Sequence, residues 1–304
     1  MDWECIAEGR TSDTAIFEYH RRRLFGIAYR MLGMVDDAED VVQDAYLRWH
    51  QTDTSGIRAP AGWLVSVVTR LCIDRLRHLA AERAAYAGQW LPEPIATDRA
   101  STPDASSDIT SDLSMAFLLL LERLSPDERA AFLLRDVFDT EYDEIARVLD
   151  RTEAAVRQIV HRARERVRGG RARFAVPLGA TSDVLDRFLA ALANDDQLAV
   201  LALVSDDASY TGDGGGKISA TRRVVTGASR VARLVLGFER KGRGFLQHSV
   251  EWLNGEPAIV TRSAAGVFYV TLIATHGERI TAFYRVLNPD KLRHVERAVV
   301  PPIA

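Results

Sequence analysis

The segment from Glu141 to Arg168 has the pattern of two short helices joined by a tight turn, and it limits the fold more than any other stretch. On the first helix, Ile145 and Val148 belong to an apolar stripe at helical spacing. The break falls at Asp150–Arg151, and Thr152 then stands where the N-cap of a second helix is expected. This arrangement predicts a helix-turn-helix, a motif whose second helix enters the major groove of DNA.

The second helix of the pair is strongly basic. Eight arginines and two glutamates lie between Arg151 and Arg173, which leaves a net charge of +6. On its own, a charged amphipathic helix is most often a solvated surface helix. After a helix-turn-helix turn, its polar side suits a phosphate-lined groove. The residues expected to face DNA are Thr152, Arg157, Gln158, His161, Arg162 and Arg164.

Composition narrows the remaining classes of protein. The 304 residues exceed the usual size of one domain, and a hydrophobic fraction of 47% supports sizeable cores. Cys5 and Cys72 have neither a disulfide nor a zinc spacing. The sequence contains no apolar run long enough for a bilayer, and its N-terminus lacks the apolar core of a signal peptide. We expect a reduced cytoplasmic protein with no metal, no other cofactor and no membrane contact.

Two linkers divide the chain into three predicted domains. The first linker, residues 88–112, combines several prolines with small polar residues, a composition that does not sustain a core. The second, residues 175–180, follows the glycines that end the arginine-rich helix. The predicted domains cover residues 1–87, 113–174 and 181–304.

The first domain is helical by pattern, and its charges are segregated. An acidic cluster marks the start of its second helix, where carboxylates favour the exposed amide end and also create a negative patch. The last turns of its third helix, which begins at Pro60, are basic. The acidic cluster consists of Asp36, Asp37, Glu39, Asp40 and Asp44.

Three segments resemble a known family. DDAEDVVQDAYLRW (36–49) and AGWLVSVVTRLCIDRLRH (61–78) resemble region 2 of extracytoplasmic-function (ECF) sigma factors, and SPDERAAFLLRD (125–136) resembles the start of their region 4. In the last segment, Ser125 and Glu128 are spaced for a capping box. The chain departs from the family at Asp150, where sigma domains commonly have glycine because the turn is left-handed.

The resemblance implies the partners and the roles of individual residues. Region 2 would dock on the clamp coiled coil of the largest RNA polymerase subunit, and region 4 would contact the flap region and promoter DNA around position −35. The implied polymerase-binding residues are Asp36, Asp37, Asp40, Gln43 and Asp44. The residues implied for the melted −10 strand are Arg58, Trp63, Arg70, Arg75 and Arg77, with Trp63 open to a core role as well.

The third domain changes from helical to alternating periodicity. Segments such as GVFYVTLIAT and ITAFYRVLN read as strands, and Asn254–Gly255 and His276–Gly277 mark hairpins. This block resembles a SnoaL-like, NTF2-like α+β cone, in which a curved antiparallel sheet cups helices. The predicted fold class is therefore multidomain, with two all-α sigma domains followed by this cone.

Three short motifs refine the resemblance. WLPEP (90–94), DGGGK (213–217) and NPDKL (288–292) are typical of the sigma factors with a fused SnoaL-like extension, the SigJ-like group. DGGGK lacks the spacing of a nucleotide-binding P-loop. The resemblance implies that the motifs position the extension against the sigma domains. The residues concerned are Trp90, Pro92, Glu93, Asp213, Lys217, Asn288, Asp290 and Lys291.

The predicted function is that of an alternative sigma factor regulated in cis by its C-terminal domain, and not that of an enzyme. Two alternatives stay open for that domain: a cyclase or isomerase with proton-transfer groups in the cone, or a sensor that binds a small molecule there. No two of the available groups have a spacing diagnostic of catalysis. These groups are Asp206, Asp207, Tyr210, Asp213, His248 and His276.

Overall fold

The N-terminal block folds as three long helices in a computed structural model that describes residues 3–97, 113–171 and 178–299. These are α1 (Trp3–Leu32), α2 (Val35–Gln51) and α3 (Pro60–Ala84), with a 3₁₀ turn at Thr54–Gly56 before α3. Their apolar stripes meet in a core that excludes water. Core members that are almost fully buried include Leu24, Ile27, Leu32, Ala38, Val42, Trp49, Leu64, Val68 and Cys72.

Four helices and one π-helical turn follow the first linker. They are α4 (Met115–Leu121), α5 (Pro126–Phe132), the π-turn Leu133–Val137, α6 (Tyr142–Leu149) and α7 (Glu153–Arg171). The predicted capping box is confirmed, because the Ser125 hydroxyl accepts from the amide of Glu128 while the Glu128 carboxylate accepts from that of Ser125.

The helix-turn-helix of residues 141–168 is also confirmed, and its turn has the expected geometry. Asp150 takes the left-handed conformation (φ 53°, ψ 52°) at the C-terminal end of α6. The Thr152 hydroxyl accepts from the amide of Ala155 and so caps α7. Aspartate tolerates the left-handed region better than most residues, which explains how this chain keeps the turn.

The C-terminal block is an α+β fold built on one six-stranded sheet. Helices α8 (Leu178–Ala193) and α9 (Gln197–Leu203) lead into β1 (Val204–Asp213), β2 (Val225–Thr226) and α10 (Ala228–Gly242). The remaining strands are β3 (Gln247–Leu253), β4 (Glu256–Ser263), β5 (Gly266–His276) and β6 (Arg279–Val286), and a 3₁₀ turn (Pro289–Lys291) and α11 (Arg293–Val299) close the block. The strand order is β2-β1-β6-β5-β4-β3.

Two sequence predictions for the sheet are confirmed, and one needs a correction. Asn254–Gly255 joins β3 to β4, and the turn after His276 joins β5 to β6. The sheet is antiparallel except at one place, where β1 pairs with β6 in parallel. That exception arises because β1 and β6 are joined by a long connection rather than by a hairpin.

The two faces of the sheet pack against different partners. One face carries Ile259, Ile273 and Phe283 and is covered by apolar residues of α8, α9 and α10. The opposite face carries Val260 and Leu272 and is covered by residues outside the sheet. Those covering residues include Leu91 of the first linker, Met115, Ala116 and Leu119 of α4, and Val295 of α11.

The chain forms two compact units whose boundaries differ from a simple division at the linkers. Among the described residues, the first unit contains 3–82 and 121–167. The second contains 83–97, 113–120, 168–171 and 178–299. Most of α4, although it precedes the helix-turn-helix in sequence, therefore belongs to the core of the second unit.

Candidate polymerase and promoter interfaces

One face of α2 presents the predicted polymerase-binding residues to solvent. Asp36, Asp40, Gln43 and Asp44 are exposed and follow one another at helical spacing. Leu47, one turn further along, has 47% of its surface exposed. We call these five residues the acidic face of α2. Leu47 was missed from the sequence because an apolar residue in an amphipathic helix is expected in the core.

Asp37 does not share this exposure. Its carboxylate is half-buried and binds the guanidinium of Arg75 on α3, with an N–O distance of 2.6 Å. The hydrogen bond that Arg75 donates to Asp37 is the main reason why the pKa of Arg75 is raised. Asp37, which was predicted to contact polymerase, and Arg75, which was predicted to contact DNA, thus bind each other within the first unit.

Region 2 arginines predicted to hold DNA are also engaged within the first unit. The guanidinium of Arg70 donates to the carbonyl oxygens of Val148 (2.9 Å) and Arg147 (2.7 Å), at the C-terminal end of α6. Arg77 binds Asp74 (3.3 Å) on its own helix and Asp127 (3.1 Å) on α5. Carbonyls at a helix end have no intrahelical partner, so a cation is favoured there.

Arg58 and Trp63 differ in their surroundings. Arg58 is exposed in the connection before α3. Trp63 is half-buried, and its ring centroid lies 5.3 Å from that of the buried Trp49. Part of the Trp63 ring is therefore a packing surface, while the rest remains accessible.

A second contact between the two helical blocks is buried. Arg129 of α5, only 3% exposed, donates to the carbonyl oxygen of Met31 on α1 at 2.5 Å and pairs with Glu122 at 2.7 Å. Burial of an arginine requires such partners. No sequence pattern marked Arg129, because its partner is a backbone atom 98 residues away.

The predicted DNA face of α7 is mostly exposed. Gln158, His161 and Arg162 lie together on the solvent side of the helix. Arg157 pairs with Glu153 one turn earlier and stacks on the ring of Tyr142, 4.2 Å from its centroid. Arg164 pairs with Asp136 at 2.8 Å. Thr152 lies at the cap, so its hydroxyl is engaged by the backbone of α7.

The three short motifs meet in the second unit around one buried ion pair. Asp213 is 0% exposed and Lys291 is 2% exposed, and their charged atoms lie 2.8 Å apart. Asp213 also accepts from the Tyr86 hydroxyl (2.6 Å) and the Leu91 amide (2.9 Å). Lys291 donates to the Leu91 carbonyl at 2.5 Å. The DGGGK and NPDKL motifs therefore hold the linker segment that contains WLPEP.

Aromatic and polar contacts complete this attachment. The ammonium of Lys291 lies 4.2 Å from the centre of the Trp90 ring. Pro92 and Glu93 are buried, and Glu93 contacts His294 at 2.6 Å. Burial disfavours the charged form of both Lys291 and Tyr86. It lowers the pKa of Lys291 to about 8 despite the Asp213 charge, and it raises the pKa of the Tyr86 hydroxyl.

The glycine loop depends on close backbone approach. Asn288 donates to the Tyr86 hydroxyl at 3.0 Å, and a side chain at Gly215 would overlap it, since a Cβ there would lie 2.4 Å from Asn288 Cγ. By contrast, Lys217 and Asp290 form a 2.5 Å pair that is largely exposed. These two residues bind each other.

Asn254 is a further linker contact that sequence reasoning treated only as a turn residue. Its side-chain oxygen accepts from the amide of Ile95 at 3.1 Å, and its side-chain nitrogen donates to the carbonyl of Leu113 at 3.2 Å. The residue is 1% exposed and has φ 55°. It joins the linker on one side and the start of α4 on the other.

The groups considered for enzymatic chemistry are spread over different environments. Asp206, Asp207 and His276 are exposed. His248 is held between Glu239 and Thr261, with both contacts at 2.9 Å. The described side chains include no cluster of His, Cys, Asp and Glu suited to a metal ion. Within the described residues, no helix is both long and apolar enough to cross a membrane.

Comparison with protein families defines the class of this chain. Residues 16–82 match the family model for sigma-70 region 2, and residues 114–167 match the model for sigma-70 region 4. These matches cover the helices that carry the acidic face of α2 and the helix-turn-helix. The chain is thus built on the promoter-recognition domains of a bacterial sigma factor.

Similarity to individual proteins extends over nearly the whole chain. It is 40% identical over 286 residues to the ECF RNA polymerase sigma factor SigJ of Mycobacterium tuberculosis, covering 90% of this chain and 91% of that protein. It is 29% identical over 297 residues to the probable ECF sigma factor SigI of the same species, covering 92% and 94% of the two chains. The crystal structure of the M. tuberculosis SigJ aligns with a TM-score of 0.74 at 36% identity, over 92% of this chain and 98% of that one.

This chain belongs to the ECF RNA polymerase sigma factors. It is an alternative sigma factor that binds core RNA polymerase and promoter DNA, with an α+β C-terminal domain added to the two sigma domains.

Proposed function

We propose that this sigma factor docks on the clamp coiled coil of the largest polymerase subunit through the acidic face of α2. The exposed carboxylates of Asp36, Asp40 and Asp44 would steer a basic partner, and Leu47 supplies an apolar contact at the end of the row. Asp37 contributes by holding α3 against α2 through Arg75. Region 4 contacts the flap region.

Promoter recognition is divided between two surfaces. Arg58, the open part of Trp63 and the basic side of α3 hold the melted −10 strand, where stacking and phosphate contacts are both needed. The exposed row Gln158, His161 and Arg162 of α7 enters the major groove at −35.

The observation that carries the regulatory part of the proposal is the contact of Arg70 with the end of α6. Promoter elements at −10 and −35 are separated by about 25 base pairs, or about 85 Å of duplex. Arg70 is placed to bind at the first element and α6 belongs to the motif that binds at the second. Both cannot be engaged on DNA while Arg70 lies 2.7 Å from the Arg147 carbonyl. The contact therefore belongs to a closed form that opens on the promoter.

The C-terminal domain regulates this opening in cis, without catalysis and in the cytoplasm, where its polymerase partner works. It holds the linker through Asp213, Lys291 and Asn254, and it holds α4 of region 4 in its core. Any rearrangement of region 4 that moves α4 must break these contacts. The free energy of those contacts thus favours the closed form. Release of the linker and α4 from the domain shifts the population toward the open form.

Run-off transcription with core polymerase on a promoter library tests the proposal. The full chain is compared with Asp40→Ala/Asp44→Ala, with residues 1–180, and with Glu18→Ala as a control that removes an exposed carboxylate from α1 instead. Salt is fixed because phosphate contacts dominate affinity. We expect loss of initiation and of core binding only in the α2 variant.

Two results would contradict parts of the proposal separately. Equal core binding by Asp40→Ala/Asp44→Ala and the Glu18→Ala control would exclude the acidic face as the docking surface. An unchanged level of initiation from residues 1–180 would exclude regulation by the C-terminal domain, while leaving the sigma activity intact.

A further inference from the structure

A cavity of about 340 Å³ lies beside α10, on the side of the helix that does not face the core. The core side of α10 carries Val231, Val235 and Leu236, which are at most 1% exposed. The helical residues that line the cavity alternate with these three along the sequence, and their side chains are half-buried or exposed. A volume of this size is enough for a small ligand.

The floor of the cavity is apolar. Val225 of β2 and two residues of α10, Leu234 and Phe238, contribute side chains to it. The Phe238 ring is held from behind, because it stacks on the ring of the buried Tyr210 at a centroid distance of 6.2 Å. An apolar group placed in the cavity would remove this surface from water, which is favourable.

Gly237 lies in the middle of α10 and on the lining of the cavity. Glycine in the interior of a helix costs about 1 kcal/mol relative to alanine. Apart from the adjacent residues and the backbone of α10, no described heavy atom lies within 4 Å of the point where a Cβ would be. Packing therefore does not require glycine at this position. Its missing side chain instead keeps the cavity open down to the helix backbone.

Three cations surround the apolar floor. Arg230, Arg233 and Lys241 are exposed on the lining, and none of them forms an ion pair with a carboxylate of the described residues. By contrast, Arg240 on the same helix binds Asp195 at 2.9 Å. The described lining includes no acidic residue. The cavity therefore attracts an anion.

The positions of the cations favour an anion with a head and a tail. Arg230 and Arg233 are three positions apart and so are neighbours on the helix surface, where two guanidinium groups can hold one carboxylate. Lys241 lies about 16 Å further along the axis than Arg230, at a rise of 1.5 Å per residue. The apolar floor lies between these two ends. A compact polyanion would leave that floor uncovered, whereas an alkyl chain would cover it.

We propose that this cavity binds a medium-chain fatty acid, with its carboxylate on Arg230 and Arg233 and its alkyl chain over Gly237, between Leu234 and Phe238. The alkyl stems of the two arginines add apolar surface beside the head group. This site gives a chemical class to the ligand-sensor alternative for the C-terminal domain. It does not depend on the docking of α2 on polymerase, and its test measures binding alone.

Isothermal titration calorimetry on the full chain tests the site with hexanoate, octanoate and decanoate, and with 1-octanol as the uncharged counterpart of octanoate. We expect the affinity for the acids to rise about fourfold with each added methylene, since burying one contributes about 0.8 kcal/mol. 1-Octanol should bind more weakly than octanoate, because it has no charge to offer the two arginines.

Three variants separate the tail contact from the head contact. Gly237→Leu should abolish binding because its side chain fills the cavity, and it should fold because leucine favours a helix and its Cβ meets no other atom. Arg230→Gln/Arg233→Gln should lower the affinity for octanoate about tenfold or more and leave that for 1-octanol unchanged. Arg240→Gln is the matched control, since Arg240 is also exposed on α10 but does not line the cavity.

Several results would overturn the proposal. Among them are equal affinities for hexanoate and decanoate, equal affinities for octanoate and 1-octanol, normal binding by a folded Gly237→Leu, and an equal loss in Arg240→Gln and the double arginine variant. Absence of binding at millimolar concentration would do the same, and a lowered affinity of the double variant for duplex DNA would then assign the cations to phosphate contacts. The double variant changes only exposed side chains, so it decides the question even if Gly237→Leu fails to fold.

Discussion

Replacing Asp213 with asparagine should detach the linker from the C-terminal domain. The Tyr86 hydroxyl donates to one carboxylate oxygen of Asp213 and the Leu91 amide to the other, so asparagine keeps only one of the two acceptors. The substitution also removes the negative charge that pairs with Lys291, which is 2% exposed. Breaking a buried pair by removing one partner typically costs about 3–5 kcal/mol. We expect Asp213→Asn to lower the free energy of unfolding by this amount and to raise hydrogen exchange in residues 86–97.

A double-mutant cycle and an internal control make this prediction specific. Asp213→Asn/Lys291→Met should recover part of the loss, because an apolar side chain in place of the buried ammonium needs no counter-charge. Lys217→Met should cost less than about 1 kcal/mol, because the Lys217–Asp290 pair joins the same two motifs but is largely exposed. A cost of Asp213→Asn no greater than that of Lys217→Met, or unchanged exchange in the linker, would show that the buried pair does not hold the linker.

Three further outcomes follow from individual contacts. Burial lowers the pKa of Lys291 from its usual 10.5 to about 8. Between these two pH values the unfolded chain holds more protons than the native one, so this group makes the free energy of unfolding rise with pH. In Lys291→Met, the free energy measured by urea unfolding should lack this rise. Glu256 accepts from the Met115 amide, and burial raises its pKa from 4.5 to about 8. Between these values the native chain holds more protons than the unfolded one, so this group makes stability fall as pH rises. Glu256→Gln should abolish the fall in the same assay. Arg70→Ala removes two charge-assisted hydrogen bonds to the end of α6. Their loss should destabilise this contact by about 1–2 kcal/mol and speed hydrogen exchange in α6 of the free chain five- to thirtyfold. Unchanged exchange would mean that the contact does not close the two helical blocks.

Local features were predicted well because neighbouring residues determine them. The capping box of Ser125 and Glu128, the cap at Thr152 and the turn at Asp150 depend on spacings of a few residues and on backbone preferences. The hairpin at Asn254–Gly255 was predicted for the same reason. Helix and strand patterns therefore placed the helix-turn-helix and the C-terminal sheet.

Contacts between distant parts of the chain could not be predicted in this way. No periodicity relates Leu91 to Asp213 or Arg70 to the end of α6, since each contact depends on how whole elements pack. The same limit applies to α4, whose apolar sequence predicts a buried helix without indicating which core buries it. The burial of Arg285 on β6 depends on the register of the strand pair β5–β6. A shift of one residue in that register would turn its side chain to the other face of the sheet.

On promoter DNA, the contact between α3 and α6 should open. Fluorescence energy transfer tests it with labels at His78→Cys on α3 and Arg147→Cys on α6, in a Cys5→Ser chain whose Cys72 is buried and unreactive. We predict efficient transfer in the free chain and little transfer in the complex with core polymerase and promoter DNA, where the two elements are separated by about 85 Å. Equal transfer in both states would contradict the claim.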